Sequence, residues 1–375
     1  MAGIYVHIPF CKQACIYCDF HFSTSTRHRS AMATAIAQEA RLRRNYLGGE
    51  TVGTLYFGGG TPSLLEAHEL QEILQQLRSL FNFSSDLEFT FEANPDDLSA
   101  AKLAELGDAG VNRLSIGLQA LDDAMLQWMN RAHRADEGLA AVRRAQAAGI
   151  DNISVDLIYG RPGLNPEAWK QEIKTIIELG VPHISAYCLT VEPGTVLGKR
   201  VSRREEKPMD EQAAGNQFEI LISELAKAGI EQYEVSNFAK PGFYSRHNTA
   251  YWQGTAYLGL GPSAHSFNGA QRSWNVANNA RYIKSINEEK LPVTIEEAAK
   301  YDRLNEWIMT GLRTKWGIDL MAAKAKFGVD LSKKHSAYIA TLEAEGLARM
   351  DGNVLSLNPL GLFRVDGIAS DFFEV

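Results

Sequence analysis

Three of the four cysteines in the chain lie close together near its start. Cys11, Cys15 and Cys18 fall within eight consecutive positions, directly after the apolar run IYVHIPF. Thiolates at this spacing can ligate a metal centre from a single loop. Structural disulfides fit poorly, because three is an odd number and a chain with so few cysteines is typical of a reducing compartment.

Two kinds of centre remain compatible with these thiols. Zinc needs a fourth ligand, for which His7 or His21 is available, but structural zinc usually joins two well-separated ligand hairpins. An iron–sulfur cluster on three thiolates leaves one iron with an open position, whereas most electron-transfer clusters are closed by four cysteines. An open coordination site on one iron implies an exchangeable ligand.

Other polar residues lie at the ends of apolar runs. Glu92, Gln119 and Asp156 each fall at or just beyond the C-terminal end of a predicted strand, where barrel enzymes carry their active sites. Capping of the strand ends is the alternative. The run GGGT (58–61) lies at a strand-to-helix turn, where glycines allow a ligand to approach the backbone or simply form a tight turn.

The elements that would position these residues alternate regularly. Six β-rich runs separated by helical stretches predict an α/β fold, a partial (β/α)6 barrel with right-handed crossovers. Ser63 and Glu66 resemble a capping box, and Asn165-Pro166 predicts another helix start. A seventh strand is predicted at 232–237, and the six runs are 3–8, 54–59, 87–93, 112–118, 152–158 and 183–190.

The pattern changes in the second half of the chain. We expect a partial barrel over 1–240, containing a charged connection at 199–212, and a connecting segment over 241–296. Residues 297–375 predict three helices and a hairpin with its turn at Asp351-Gly352, a C-terminal winged-helix-like α+β domain.

Composition narrows the class of protein. The net charge is −7 and the pI about 5.8, so we expect no nucleic-acid binding, even by the C-terminal domain. There is no membrane-spanning run and no targeting segment in the sequence. The cysteine content favours a cytoplasmic protein.

Eight motifs in order carry a family resemblance: IYVHIPFCKQACIYCDF, LYFGGGTPS, FEANP, RLSIGLQ, MNRAH, VDLIYGRPG, HNTAYW and GLGPSAHSF. Together they resemble the radical S-adenosylmethionine (SAM) superfamily, in the subfamily of oxygen-independent coproporphyrinogen III oxidase and the HemW-type haem chaperones. The resemblance implies a [4Fe-4S] cluster on Cys11, Cys15 and Cys18. It also implies that the amine and carboxylate of SAM chelate the open iron, and that an electron from the cluster cleaves the sulfonium.

The resemblance further implies which residues bind each group. Arg131 would bind the methionine carboxylate. Tyr5 and Tyr17 would pack against SAM, and the alternative is that they are ordinary core aromatics. The implied SAM site comprises Tyr5, Tyr17, Gly59, Gly60, Thr61, Glu92, Gln119, Arg131 and Asp156. The HNxxYW motif is the implied haem site, with His247, Asn248, Tyr251 and Trp252. The alternative for His247 is a core histidine whose ring nitrogens are hydrogen-bonded within the protein.

His265 in the GLGPSAHSF motif and Cys188 in the sixth predicted strand are two further residues to assign. His265 has the same ambiguity as the first histidine of HNxxYW, and Cys188 is predicted to be a buried core thiol.

Phe20 bears on the choice between an enzyme and a carrier. The oxidases typically carry a further cysteine two residues after the third one, and an N-terminal segment over the active site. Here Phe20 takes that place and the first strand begins at Gly3. We therefore expect a haem chaperone that delivers haem to apo-proteins and depends on an electron donor. Coproporphyrinogen decarboxylation, or radical chemistry on another substrate, is the alternative. A homodimer and transient contact with membrane haem proteins are compatible with the sequence.

Overall fold

A computed structural model describes residues 1–299 and 301–374. Its dominant feature is one open sheet that contains twelve strands of the described chain, in the order β12-β11-β10-β9-β1-β2-β3-β4-β5-β6-β8-β7. These strands are β1 Ala2–Ile8, β2 Val52–Gly59, β3 Phe83–Ala93, β4 Arg113–Gln119, β5 Ile153–Tyr159, β6 His183–Cys188, β7 Glu231–Gln232, β8 Asn237–Ala239, β9 Tyr257–Leu260, β10 His265–Phe267, β11 Arg272–Asn275 and β12 Val293–Ile295.

Strands β1 to β6 run parallel in chain order and form the partial barrel. All six coincide with the predicted runs, because a strand covered by helices needs apolar residues on both faces. The helices of this part of the chain are α1 Arg29–Leu42, α2 Ala67–Leu80, α3 Ala100–Ala109, α4 Asp123–Trp128, α5 Ala135–Ala147, α6 Pro166–Glu178, α7 Val196–Ser202 and α8 Glu211–Lys227.

The two predicted helix starts have different outcomes. Asn165 caps α6 by accepting from the Ala168 N–H, with Pro166 at the first helical position, as predicted. The capping box of Ser63 and Glu66 is wrong. Glu66 is itself the cap of α2, and the Ser63 hydroxyl instead donates to Asp97 at 2.6 Å.

The segment 241–296 is more than a connection. It forms helices α9 Arg246–Trp252 and α10 Asn279–Asn287 and the strands β9 to β12, and β9 pairs in parallel with β1. The buried Glu39 carboxylate of α1 binds this segment by accepting from the Gly261 N–H, the Asn275 amide and the Tyr282 hydroxyl. The sheet therefore continues on the far side of β1, and the sequence does not break into two sheets at residue 240.

The single strand predicted at 232–237 is wrong. Residues 233–236 turn the chain back, so that the two short strands β7 and β8 pair antiparallel with each other. The cause is local: Glu234 and Asn237 are hydrogen-bonded through their side chains across the turn, and β8 then pairs antiparallel with β6.

The C-terminal part forms a second, smaller core. Its strand order is β13-β15-β14, and helix, strand, three helices and hairpin follow one another, as in a winged-helix-like domain. Two further helices after the hairpin were not predicted, and Phe363 of the first stacks on Phe218 of α8. The elements are α11 Asp302–Leu312, β13 Ile318–Asp319, α12 Leu320–Phe327, α13 Leu331–Lys334, α14 Ser336–Ala344, β14 Ala348–Asp351, β15 Val354–Leu357, α15 Pro359–Phe363 and α16 Val365–Ser370.

Candidate functional site

A cavity of about 540 Å³ opens at the C-terminal ends of the barrel strands. This is the end of a parallel barrel where the loops after the strands converge. Eight of the nine predicted SAM-site residues line it together with the three clustered cysteines, and Tyr5 is the exception. The fold therefore brings together predicted residues that are up to 145 positions apart in the sequence, from Cys11 to Asp156.

The cysteine loop joins β1 to α1 and forms one wall of the cavity. Cys11, Cys15 and Cys18 are all half-buried free thiols. The Cys11 N–H donates to the Ser23 carbonyl within the loop, and the Ile16 N–H donates to the Met129 carbonyl at the end of α4. The loop thus presents its thiols toward the same space as the strand-end residues.

Arg131 lines the cavity beside Cys15 and is itself held in place. Its Nη2 donates to the Asn94 Oδ1 at 2.7 Å and to the Gly117 carbonyl at 2.9 Å, and its Nη1 lies 3.5 Å from the Cys15 sulfur. The Nε is buried and has no hydrogen-bond partner among the described residues. A buried guanidinium with a free donor is suited to an anionic ligand.

Glu92 lies beneath the glycine turn. Its Oε1 accepts from the Tyr56 hydroxyl at 2.7 Å and its Oε2 from the Gly59 N–H at 3.1 Å. A side chain at Gly58 would exclude this arrangement, because its Cβ would lie 2.9 Å from Oε1. Burial raises the pKa of Glu92 to about 7. The glycine turn therefore shapes the pocket by packing closely on Glu92, and the Gly59 N–H is already hydrogen-bonded to that carboxylate.

Gln119 at the end of β4 and Asp156 within β5 complete the polar floor. Gln119 has a φ of 68°, in the left-handed region that non-glycine residues rarely adopt, where the register of β4 against β5 shifts. Such strain is found most often at functional sites. The Asp156 Oδ1 accepts from the Ser115 hydroxyl at 3.1 Å, and burial raises the pKa of Asp156 to about 6.

The two predicted tyrosines differ in position. Tyr17 lines the cavity beside the cysteines, and burial raises its pKa. Tyr5 is not among the residues that line the cavity: its hydroxyl lies 3.2 Å from the His7 Nδ1, and its ring stacks on His247. Its ring centroid lies 5.9 Å from that of Tyr56, the residue that binds Glu92, and a role of Tyr5 toward SAM stays a prediction.

The predicted haem ligand is a core histidine. His247 is 2% exposed, and its Nδ1 and Nε2 lie 2.8 Å from the Thr54 and Tyr251 hydroxyls. Burial lowers the pKa of His247 to about 3, so the ring is neutral and satisfied on both nitrogens. The prediction that His247 faces a ligand is wrong in this arrangement. Asn248 and Trp252 are half-buried on the same helix and do not line the cavity at the C-terminal ends of the barrel strands.

Several lining residues were not predicted. Asn94, which follows β3, orients Arg131 and donates to the Thr61 hydroxyl at 3.3 Å. The FEANP motif that contains it was a usable signal. Lys12 also lines the cavity and pairs with Asp96 at 2.7 Å. Cys188 is not a core thiol as predicted: it is half-buried and lines the cavity wall.

No helix in residues 1–299 and 301–374 is long and apolar enough to cross a membrane. His265, also ambiguous from sequence, is exposed and stacks on Trp274.

Comparison with known proteins identifies the family of the chain. Residues 5–176 match the Radical SAM superfamily, and residues 299–364 match the HemN C-terminal domain. The chain is 36% identical to heme chaperone HemW of Bacillus subtilis, over 96% of both chains. It is 34% identical to heme chaperone HemW of Mycobacterium tuberculosis, over 98% of this chain and 93% of that protein.

A solved structure shares the fold. Coproporphyrinogen III oxidase (HemN) of Escherichia coli, described as a radical SAM enzyme, superposes with a TM-score of 0.85 over 99% of this chain and 90% of its own, at 23% identity. This structural likeness shows the fold of the chain, and the relatives found by sequence show its family. The chain belongs to the HemW family within the radical SAM superfamily.

Proposed function

We propose that this protein is a haem chaperone, which binds haem and delivers it to haem-free acceptor proteins. The observation that carries the proposal is the likeness, over almost the whole chain, to proteins named heme chaperone HemW. We further propose that the barrel cavity holds a [4Fe-4S] cluster and SAM, and that an electron donor serves the cluster.

The donors in the cavity fit a cluster better than a single ion. Among the described residues, no three His, Cys, Asp or Glu side chains converge on a position for one metal ion. A cluster has no such requirement, because its thiolates bind different irons. Cys11, Cys15 and Cys18 would be those ligands, on a loop that is hydrogen-bonded internally at Cys11 and to Met129 at Ile16.

The remaining polar groups match the parts of SAM. The free Nε of Arg131 suits the methionine carboxylate, and the acceptors of Glu92 and Gln119 suit ribose hydroxyls. Asp156 and Tyr17 would complete the enclosure beside them. Cluster and SAM supply one-electron chemistry when both are bound; the protein orients them and limits access of water.

Phe20 favours the carrier over the oxidase. It lies at the cavity lining where the oxidases are expected to carry a further cysteine, and it is 72% exposed. A phenyl ring offers no ligand to a metal. Its exposure leaves this side of the pocket in contact with solvent, which is unfavourable for sustained radical turnover.

The test compares uptake with turnover under anaerobic conditions. The reconstituted, reduced protein is incubated with SAM and coproporphyrinogen III, and separately titrated with haem, with Cys18→Ala as the matched cluster-free variant. We expect a stable Soret band, transfer of the haem to an apo-globin, and no protoporphyrinogen. Protoporphyrinogen formed in step with 5′-deoxyadenosine, and absent with Cys18→Ala, would replace the chaperone with an oxidase.

A further inference from the structure

A second cavity of about 780 Å³ lies beside the first and contains none of the predicted site residues. It is enclosed by the loop after β5, by α7 and by residues 203–210, which precede α8. Leu189 lines both cavities, so that a single wall separates them. The volume is within the range of protein sites for small molecules and cofactors.

The interior of this second cavity is mainly apolar. Such walls suit a flat aromatic ligand, which gains most of its binding free energy from burial of its faces. The apolar side chains come from four different elements and loops: Trp128, Leu164, Leu189, Val191, Leu197 and Val201.

The rim of the second cavity carries cations without partners. Arg204 and Lys207 line it, are exposed, and form no ion pair with any residue in the described part of the chain. Arg161 lines it more deeply and is buried. Its Nη2 pairs with Glu172 at 2.6 Å, whereas its Nε has no hydrogen-bond partner within residues 1–299 and 301–374. These donors suit a ligand with carboxylates at one edge.

The acids on the same wall are largely engaged elsewhere. Glu206 accepts from the Trp128 indole N–H at 2.8 Å, and Asp210 caps α8 by accepting from the Ala213 N–H. Glu205 is exposed at the rim. The bonds to Glu206 and Asp210 come from neutral donors and leave both carboxylates charged, so three cations and three carboxylates line the cavity. Arg204 and Lys207 are the exposed cations that pair with no carboxylate of the described residues.

A thioether is available at the inner wall. Met209 lines the second cavity, and its sulfur lies 3.6 Å from the Cys188 sulfur, which faces the first cavity. Gly160 makes room for the pair, because a Cβ there would lie 3.3 Å from each sulfur. A methionine thioether is an established axial ligand of haem iron.

We propose that the second cavity is the haem site, with Met209 as an axial ligand of the iron and with Arg204 and Lys207 binding the propionates. This inference rests on the proposed haem-carrier function and assigns its binding site. The haem would then lie next to the SAM cavity, separated from it by Leu189 and the Cys188–Met209 sulfur pair.

The test uses full-length, cluster-reconstituted protein titrated with haem and followed by its absorption spectrum. Met209→Leu keeps the side-chain volume and removes the sulfur, so we expect a shifted Soret band. Ala213→Phe places a ring in the cavity, and we expect at least about tenfold weaker haem binding. Matched controls are Met321→Leu on the exposed C-terminal domain and Ala226→Phe on the exposed face of α8, neither of which should change haem binding.

The outcomes separate this inference from the function on which it rests. No haem uptake by the parent protein would remove the proposed function itself. Uptake by the parent with an unchanged spectrum for Met209→Leu would overturn Met209 as the ligand, and unchanged affinity for Ala213→Phe would overturn the cavity. SAM binding, measured in parallel by calorimetry, should be the same in Ala213→Phe and the parent, and this reports that the barrel is intact.

Discussion

The buried carboxyl of Glu92 should make the cluster-free protein less stable at neutral pH than at acid pH. Burial raises its pKa from 4.5 to about 7. Below pH 4.5 the group is protonated in the folded and unfolded chains alike, and it carries no penalty. Between pH 4.5 and 7 the unfolded chain ionises first, so the free energy of unfolding falls as pH rises, and above pH 7 the loss is constant.

Glu92→Gln is the perturbation that isolates this effect. Its amide nitrogen can donate to the Tyr56 oxygen while its amide oxygen accepts from the Gly59 N–H, which preserves both contacts of the carboxyl. At about 1.4 kcal/mol for each pH unit, the raised pKa corresponds to about 3 kcal/mol as an upper limit. We therefore expect the variant to be up to about 3 kcal/mol more stable than the parent at pH 8, and equal to it near pH 4.5.

Urea unfolding of both cluster-free proteins at pH 4.5, 6 and 8 measures the difference. Glu219→Gln, at an exposed position of α8, is the control and should show no pH-dependent difference. The same offset for Glu92→Gln at every pH, or greater stability only at acid pH, would refute the argument. SAM binding should weaken in Glu92→Gln, because a neutral amide is a poorer acceptor for ribose hydroxyls than a carboxylate.

Three other substitutions test the cavity. Cys18→Ala, reconstituted anaerobically, should lose the cluster chromophore and its iron; a full cluster in this variant would contradict the ligand assignment. Arg131→Ala should weaken SAM binding by about 1.5–3 kcal/mol in calorimetry, and unchanged affinity would remove it from the site. Gly60→Ala places a Cβ 2.7 Å from the Phe10 carbonyl and should cost about 1–3 kcal/mol in unfolding free energy, whereas Gly107→Ala, in the open interior of α3, should stabilise by about 0.5–1 kcal/mol.

The sequence predicts the parts of the molecule that local pattern determines. Strands β1 to β6 are apolar on both faces and were therefore found, and their order placed Glu92, Gln119 and Asp156 at one end of the barrel. The shared position of these three residues follows from this topology, because the ends of parallel strands meet at one edge of a sheet, whereas the other expected SAM-site residues were implied by the family resemblance.

Pattern fails where a role depends on contacts between distant residues. His247 and Tyr5 belong to recognisable motifs, but their contacts decide that they pack in the interior. His247 binds the hydroxyls of Thr54 on β2 and Tyr251 on its own helix, and the Tyr5 ring stacks on His247. The pairing of β9 with β1 is equally distant in sequence. The second cavity is assembled from Trp128 through Gln217, and no short stretch of the sequence indicates that these residues enclose a space.

The pairing of β9 with β1 also has a consequence for synthesis of the chain. Gly3 lies opposite Tyr257, about 250 residues later, which a ribosome needs about 13 to 50 seconds to add. Throughout that interval one edge of β1 is unpaired, and the cysteine loop that follows it is attached to an incomplete sheet. An unpaired edge can recruit other strands, so a nascent chain of this family depends on protection of its first strand until translation has passed residue 260.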